Sequence, residues 1–123
     1  MTKAKYIDGF VLVVAKKNTA KYKKLAKEAA RVWKRFGALD YKECRIDDKP
    51  KWVQMTFDKM TKPKKGETVW FSFITYKSKA DRARVNKVVM EYFSKKYGDK
   101  MMKDMPFDMK RMAAAGFKVE VSA

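Results

Sequence analysis

Few kinds of side chain in this 123-residue chain can do chemistry. It has no histidine and a single cysteine, Cys44. A Ser-His-Asp or Cys-His nucleophile, a histidine-ligated metal or haem site and an internal disulfide are therefore excluded. What remains is a short charged group near the C-terminus: Asp108, Lys110 and Arg111. At that spacing they can orient an anionic or polar ligand, with Arg111 as a bidentate clamp, and Trp70 is assigned to the same ligand-binding set. A structural ion pair or turn cap is the preferred alternative for the charged three. Met101, Met102, Met105, Met109 and Met112 carry thioethers that can take a soft metal. Such residues more often pack adaptably against a pocket or dimer seam, so no metal and no cofactor is expected. Cys44 would need a lowered pKa to react; a quiet, partly buried thiol is expected. The loop pair Asp47-Asp48 reads as turn formers, and Trp52 as a pocket lid or an edge cover.

Charge sets the background for these groups. Thirty-one Lys and Arg against fourteen Asp and Glu give +17. Residues 1–62 hold seventeen basic and seven acidic side chains, and residues 63–123 hold fourteen and seven, so the excess is spread over the chain. Lysine outnumbers arginine 25 to 6. Lysine is a hydrated point charge, whereas arginine is the usual bidentate reader of phosphate and guanine. A solvated lysine coat is the default, with nucleic-acid contact as the alternative use of the charge. On the first helix Lys21, Lys23, Lys24, Lys27, Arg31, Lys34 and Arg35 surround an apolar stripe, better explained by packing on a sheet than by a membrane surface. The longest apolar run, Phe10 to Ala15, is far short of the ~20 residues that span a bilayer. Met1–Lys5 shows no apolar leader, and a lone cysteine suits a reducing compartment, so a cytoplasmic location is expected.

The elements that must position these groups follow from periodicity. Residues 5–15 read as a strand. Asn18 or Thr19 caps a helix over 20–36, whose Tyr22, Leu25, Ala29, Val32, Trp33 and Phe36 recur at three- and four-residue steps up to a Gly37 stop. A second strand spans 39–47, and residues 48–65 form a polar connection with a short helical turn around Val53, Phe57 and Met60. A third strand covers 67–76. Ser78 to Asp81 forms a capping box for a second helix carrying Val85, Val88, Val89, Tyr92 and Phe93 and ending near Gly98. A last strand covers 111–121. Gly9 and Gly116 inside strands suggest a bulge or close backbone approach. The order βαββαβ, with right-handed crossovers, predicts one ferredoxin-like α+β domain over 1–123: a four-stranded antiparallel sheet in order 4-1-3-2 with both helices on one face.

Its two central strands are apolar on both sides. Phe10 to Ala15 does not alternate, and Val69, Phe71 and Phe73 point opposite to Trp70, Ile74 and Tyr76. A sheet with water on one face should alternate, so the face carrying Val69, Phe71 and Phe73 is expected to meet a partner. One candidate is a second copy of the chain, closing a shared barrel. The other is single-stranded RNA. Phe71-Ser72-Phe73-Ile74-Thr75-Tyr76 approaches the third-strand motif of RNA-recognition domains, with Val69 and Trp70 where that motif has its basic residue and glycine.

The segments Tyr6-Ile7-Asp8-Gly9-Phe10-Val11, Phe36-Gly37-Ala38-Leu39, Glu43-Cys44, Phe71 to Tyr76, Met105-Pro106-Phe107-Asp108-Met109-Lys110-Arg111-Met112 and Gly116-Phe117 occur in this order. Together they resemble the bacterial YbaA-like family, an uncharacterised domain of the dimeric α+β barrel superfamily, over nearly the whole chain. The resemblance implies a homodimeric barrel and brings no substrate or catalytic residue. Related barrels include cofactor-free monooxygenases and haem-degrading enzymes; the latter use a histidine, which this chain lacks. The expected function is a cytoplasmic homodimeric barrel binding or transforming a small molecule in a pocket beside the sheet. The alternative is a basic RNA-binding module.

Overall fold

The structure, a computed structural model, describes residues 3–123 apart from the side chains of Met101 and Met102. Met1 and Thr2, where the search for a leader begins, lie outside it. Strand β1 (Tyr6–Ala15) passes through a 3-10 turn into helix α1 (Thr19–Phe36), and strand β2 (Asp40–Arg45) follows. The long connection holds a short helix α2 (Phe57–Thr61) before strand β3 (Glu67–Tyr76). Helix α3 (Lys79–Tyr97), a one-turn helix α4 (Lys100–Lys103), a second 3-10 turn (Met109–Arg111) and strand β4 (Ala113–Lys118) complete the order.

The four strands form one sheet, β2-β3-β1-β4, with every neighbouring pair antiparallel. This is the expected ferredoxin-like α+β arrangement. The last strand is shorter than expected at both ends, running Ala113–Lys118; its start is cut back because Met109–Arg111 turns as a 3-10 helix. There the Asp108 carboxylate accepts from the Lys110 backbone N–H at 3.0 Å and caps the turn.

Local chemistry explains the helix limits. Gly37 ends α1 at φ 126°, where a Cβ would lie 2.7 Å from Arg84 Nη2. The Ser78 hydroxyl accepts from the Asp81 N–H at 3.0 Å and starts α3. Both helices cover the face that carries Phe10, Leu12, Trp70, Ile74 and Tyr76, building two core clusters on it. Around α3, Val85, Val89 and Phe93 pack with Val32, Ile74 and Tyr76. Near the start of α1, Tyr22 and Ala26 pack with Leu12, Val14 and Trp70. Each fully buried Leu or Val here contributes about 1.5–3 kcal/mol.

The opposite face is only half covered. α2 packs across β1 and β3, and Val11, Val13 and Val69 are buried at that end. Phe57 of α2 lies 6.1 Å from Phe71, ring centre to ring centre. Toward the other end Phe71 and Phe117 stay 39% and 57% exposed, and Phe73 is half-buried. The Phe117 ring lies over Gly9, where a Cβ would come within 3.3 Å, and the Tyr6 hydroxyl occupies the place a Cβ would take at Gly116. Both strand glycines thus admit an aromatic ring against the backbone, the close approach rather than the bulge.

Candidate functional site

The gap between the two core clusters is not filled. A cavity of about 1270 Å³ opens between the sheet and helices α1 and α3. Its floor follows from strand register. Glu43, Ser72, Phe10 and Ala114 sit opposite one another across the sheet, and Tyr41, Ile74 and Asp8 form the next row. Alternation puts all of them on the helix side. The roof comes from α1 (Tyr22, Leu25, Ala26, Ala29, Trp33) and from α3 (Arg82, Asn86, Met90, Phe93), at spacings that share one helix face. Met105, Pro106, Phe107 and Met112 close the end nearest Tyr22, with the Phe107 ring edge-on to Tyr22 at 5.7 Å.

Three polar stations interrupt this largely apolar wall. At the first, Glu43 accepts a hydrogen bond on each carboxylate oxygen, from the Tyr22 hydroxyl at 2.6 Å and the Tyr41 hydroxyl at 2.7 Å. Burial raises the Glu43 carboxyl above the ordinary carboxylate range, while the two hydroxyls pull the other way. Burial, reinforced by the Glu43 charge, also holds both phenols well above their usual range. Among the described residues no Lys or Arg makes an ion pair with Glu43.

At the second station, buried Asp8 is paired with Arg82 at 2.9 Å. At the third, the Asn86 carbonyl oxygen accepts from Trp33 Nε1 at 3.0 Å and from the Tyr76 hydroxyl at 3.1 Å. Glu43 and Asp8 are two strands and two residues apart. Strand spacings of about 4.8 Å and about 3.4 Å per residue put their Cα atoms about 12 Å apart. The cavity can therefore address two separated groups of one ligand. It offers a half-buried acceptor at one end and a locked guanidinium with a carboxamide at the other.

The mouth is charged. Lys21, Lys24 and Lys100 stand at it with Asp104. Glu28 of α1 bridges to α3 there, accepting from Lys96 Nζ at 2.7 Å and from the Tyr97 hydroxyl. The Lys96 hydrogen bond holds the Glu28 carboxyl below its ordinary range.

The charged group near the C-terminus is placed elsewhere. Arg111 donates to both oxygens of Glu67, at 2.9 and 3.0 Å, and to the Lys62 carbonyl at 3.3 Å. That fork holds Glu67 below its ordinary range and ties the end of the α2 connection to the turn before β4. Asp108 is the turn cap, Lys110 is exposed, and none of the three lines the cavity. Trp70 is buried on the helix side against Tyr22, ring centres 4.9 Å apart, and its indole N–H has no partner among the described residues. Val69 lies beneath the connection, and Phe71 and Phe73 are side by side on the open face at 6.0 Å.

Met105, Met109 and Met112 line the cavity, whereas the side chains of Met101 and Met102 lie outside the described residues. Cys44 is exposed, a correction to the partly buried thiol expected: it lies on the open face of an edge strand, opposite Phe71. Trp52 is 86% exposed and does not line the cavity.

The residues that build the cavity were readable as core, not as a site. Two signals stand in the sequence. Asp8 is an acid inside an apolar strand, and Tyr41-x-Glu43 puts a phenol and a carboxylate on one side of a strand. Neither names a partner across the fold.

Comparison with known proteins agrees with this architecture. The model of a family described as protein of unknown function (DUF1428) matches residues 5–109. The uncharacterised protein YbaA of Escherichia coli K12 is 38% identical over 115 residues, covering 93% of this chain and 95% of that protein. YbaA of Shigella flexneri matches to the same extent, 38% identical over 93% of this chain and 95% of its own length. A solved dimeric ferredoxin-like protein from an uncultured marine organism superposes with a TM-score of 0.55 at 10% identity, over 97% of this chain and 99% of its own. At that identity the likeness concerns the fold alone. Among the described residues no helix is long and apolar enough to cross a membrane.

Proposed function

The chain belongs to the DUF1428 family, and from that premise we propose that it works as a homodimeric barrel holding a small, largely apolar molecule between sheet and helices. The cavity of about 1270 Å³ carries this reading. Ligand sites are typically concave, mostly apolar and furnished with a few placed polar groups, and this one has aromatic walls and three polar stations. The solved ferredoxin-like relative is dimeric, and the half-open sheet face of this chain offers aromatic surface for the same use. Cytoplasmic action fits a chain whose one thiol is exposed and unpaired.

The test blocks the cavity without touching the core. Ala114 is exposed on β4 and sits in the floor row beside Phe10. Ala114→Trp should leave the Tm nearly unchanged, because an exposed substitution usually shifts stability by about 0.5 kcal/mol or less. It should abolish binding of indane, a neutral bicyclic hydrocarbon, followed through the Trp33 indole N–H signal in NMR titrations. Indane that fails to perturb Trp33 in the unaltered chain would sink the proposal.

A further inference from the structure

The three polar stations differ in how completely they are satisfied. Asp8 has its cation, Arg82. The Asn86 oxygen already takes two donors. Glu43 is different: each oxygen takes one tyrosine hydroxyl, and a carboxylate offers about four acceptor positions. Two are left, on a group that lines the cavity and has no cationic partner among the described residues. Glu43 is half-buried, and a half-satisfied acceptor drawn partly out of water is costly when empty and discriminating when filled.

What fills it is constrained from the other side. A cationic ligand would have to pass a mouth where Lys21, Lys24, Lys96 and Lys100 outnumber Glu28 and Asp104. An anionic ligand would be repelled by Glu43 itself. A hydrocarbon would leave the two positions empty. We propose that Glu43, fixed between Tyr22 and Tyr41, recognises the hydroxyl of a neutral ligand whose remaining body is apolar. This rests on the cavity being a ligand site and adds the class of ligand.

The probes share one skeleton. Indane, 2-indanol, 2-methoxyindane and 2-aminoindane differ only in the substituent they present. Each is titrated into the full chain above the pH window in which Glu43 keeps its proton, and followed by the Trp33 indole N–H signal, Trp33 being part of the wall. One hydrogen bond to a charged acceptor should favour 2-indanol over indane by about tenfold. The ether keeps the oxygen but loses the donor, so it should bind no better than indane. In Glu43→Gln the preference for 2-indanol should fall below about twofold, since an amide has one acceptor atom and adds donors. If indane binds and 2-indanol gains nothing, or the ether matches the alcohol, the hydroxyl assignment is wrong while the cavity reading stands. Tightest binding by 2-aminoindane would also overturn it, in favour of a cation. If no probe binds, the cavity reading fails and takes this inference with it. The ether comparison decides even where the Gln variant does not fold.

Discussion

The Arg82 guanidinium grips both oxygens of Asp8, its Nε at 3.1 and 2.9 Å and its Nη2 at 2.9 Å. The pair joins the start of α3 to the middle of the sheet. The same guanidinium lies 5.6 Å from the centre of the Tyr6 ring, whose hydroxyl sits over Gly116. One arginine thus organises β1, β4 and α3 around one end of the cavity.

Because Asp8 is 4% exposed, it depends on that partner. Removing one member of a buried pair leaves an uncompensated charge, at a cost of about 3 kcal/mol or more. Arg82→Met should therefore lower the Tm by about 10 °C. Asp8→Leu combined with Arg82→Met should recover much of the loss, because it deletes both charges. Thermal melts of the two variants check this; a double variant no more stable than the single one would show that the pair does more than neutralise itself.

Arg111 gives a sharper division between structure and binding. Its fork is occupied by Glu67 and the Lys62 carbonyl, and it stands outside the cavity wall. Arg111→Ala should lower the Tm and loosen the α2 connection, visible as faster amide exchange at Lys62 and Lys64. Indane affinity should not change. A drop in affinity with an unchanged Tm would restore Arg111 as a ligand clamp.

Glu43 should make stability depend on pH in a specific direction. Its carboxyl is raised by burial, so the folded chain keeps this proton where the unfolded chain, near 4.5, has lost it. Between that value and the raised one the folded state binds more protons, and stability falls as pH rises through the window. Glu67 and Glu28, held low by Arg111 and Lys96, act oppositely and at more acid pH: their contribution is present above the ordinary range and is lost as pH drops through the lowered values. The Tm should climb out of acid, then sag above the ordinary carboxylate range. In Glu43→Gln the sag should disappear while the acid limb stays. A variant whose curve runs parallel to the parent at every pH would refute a raised Glu43.

The parts of this fold legible in the sequence are those set by short-range pattern. The three- and four-residue steps from Tyr22 to Phe36 define α1, Ser78 and Asp81 fix the start of α3, and the alternation of Trp70, Ser72, Ile74 and Tyr76 sorts the faces of β3. The YbaA-like segments named the family. The site was much less legible. Glu43 meets Tyr22 across 21 residues, and Asp8 meets Arg82 across 74. Such pairs exist only once the sheet has a register and the helices a side. Asp108, Lys110 and Arg111 drew attention because they are adjacent. Adjacency is what a turn cap and an ion pair with a neighbouring strand require, so it does not mark a ligand site. Cys44 was expected to be partly buried from its place in a strand, but edge position outweighs strand membership.

The open sheet face leads to the last prediction. The α2 connection shelters Val11, Val13 and Val69, and Phe57 reaches Phe71, so one end of the face is already covered within the chain. The other end presents Phe71, Phe73 and Phe117, and Phe117 is 57% exposed over Gly9. Contiguous apolar surface of this kind marks an interaction site. Two copies meeting there would stack their sheets about 10 Å apart, the ordinary spacing of packed sheets. The chain should then sediment at twice its 14.4 kDa mass at micromolar concentration. Phe71→Glu with Phe117→Glu should halve that mass without unfolding the protein, because both side chains are exposed in the single chain and the core does not depend on them. Circular dichroism at the same concentration checks that the fold persists. An unaltered chain that sediments as a monomer would leave the aromatic face without its second copy. If a short single-stranded RNA then quenched the exposed Trp52, and Phe71→Glu with Phe117→Glu abolished the quenching, that face would be assigned to nucleic acid instead.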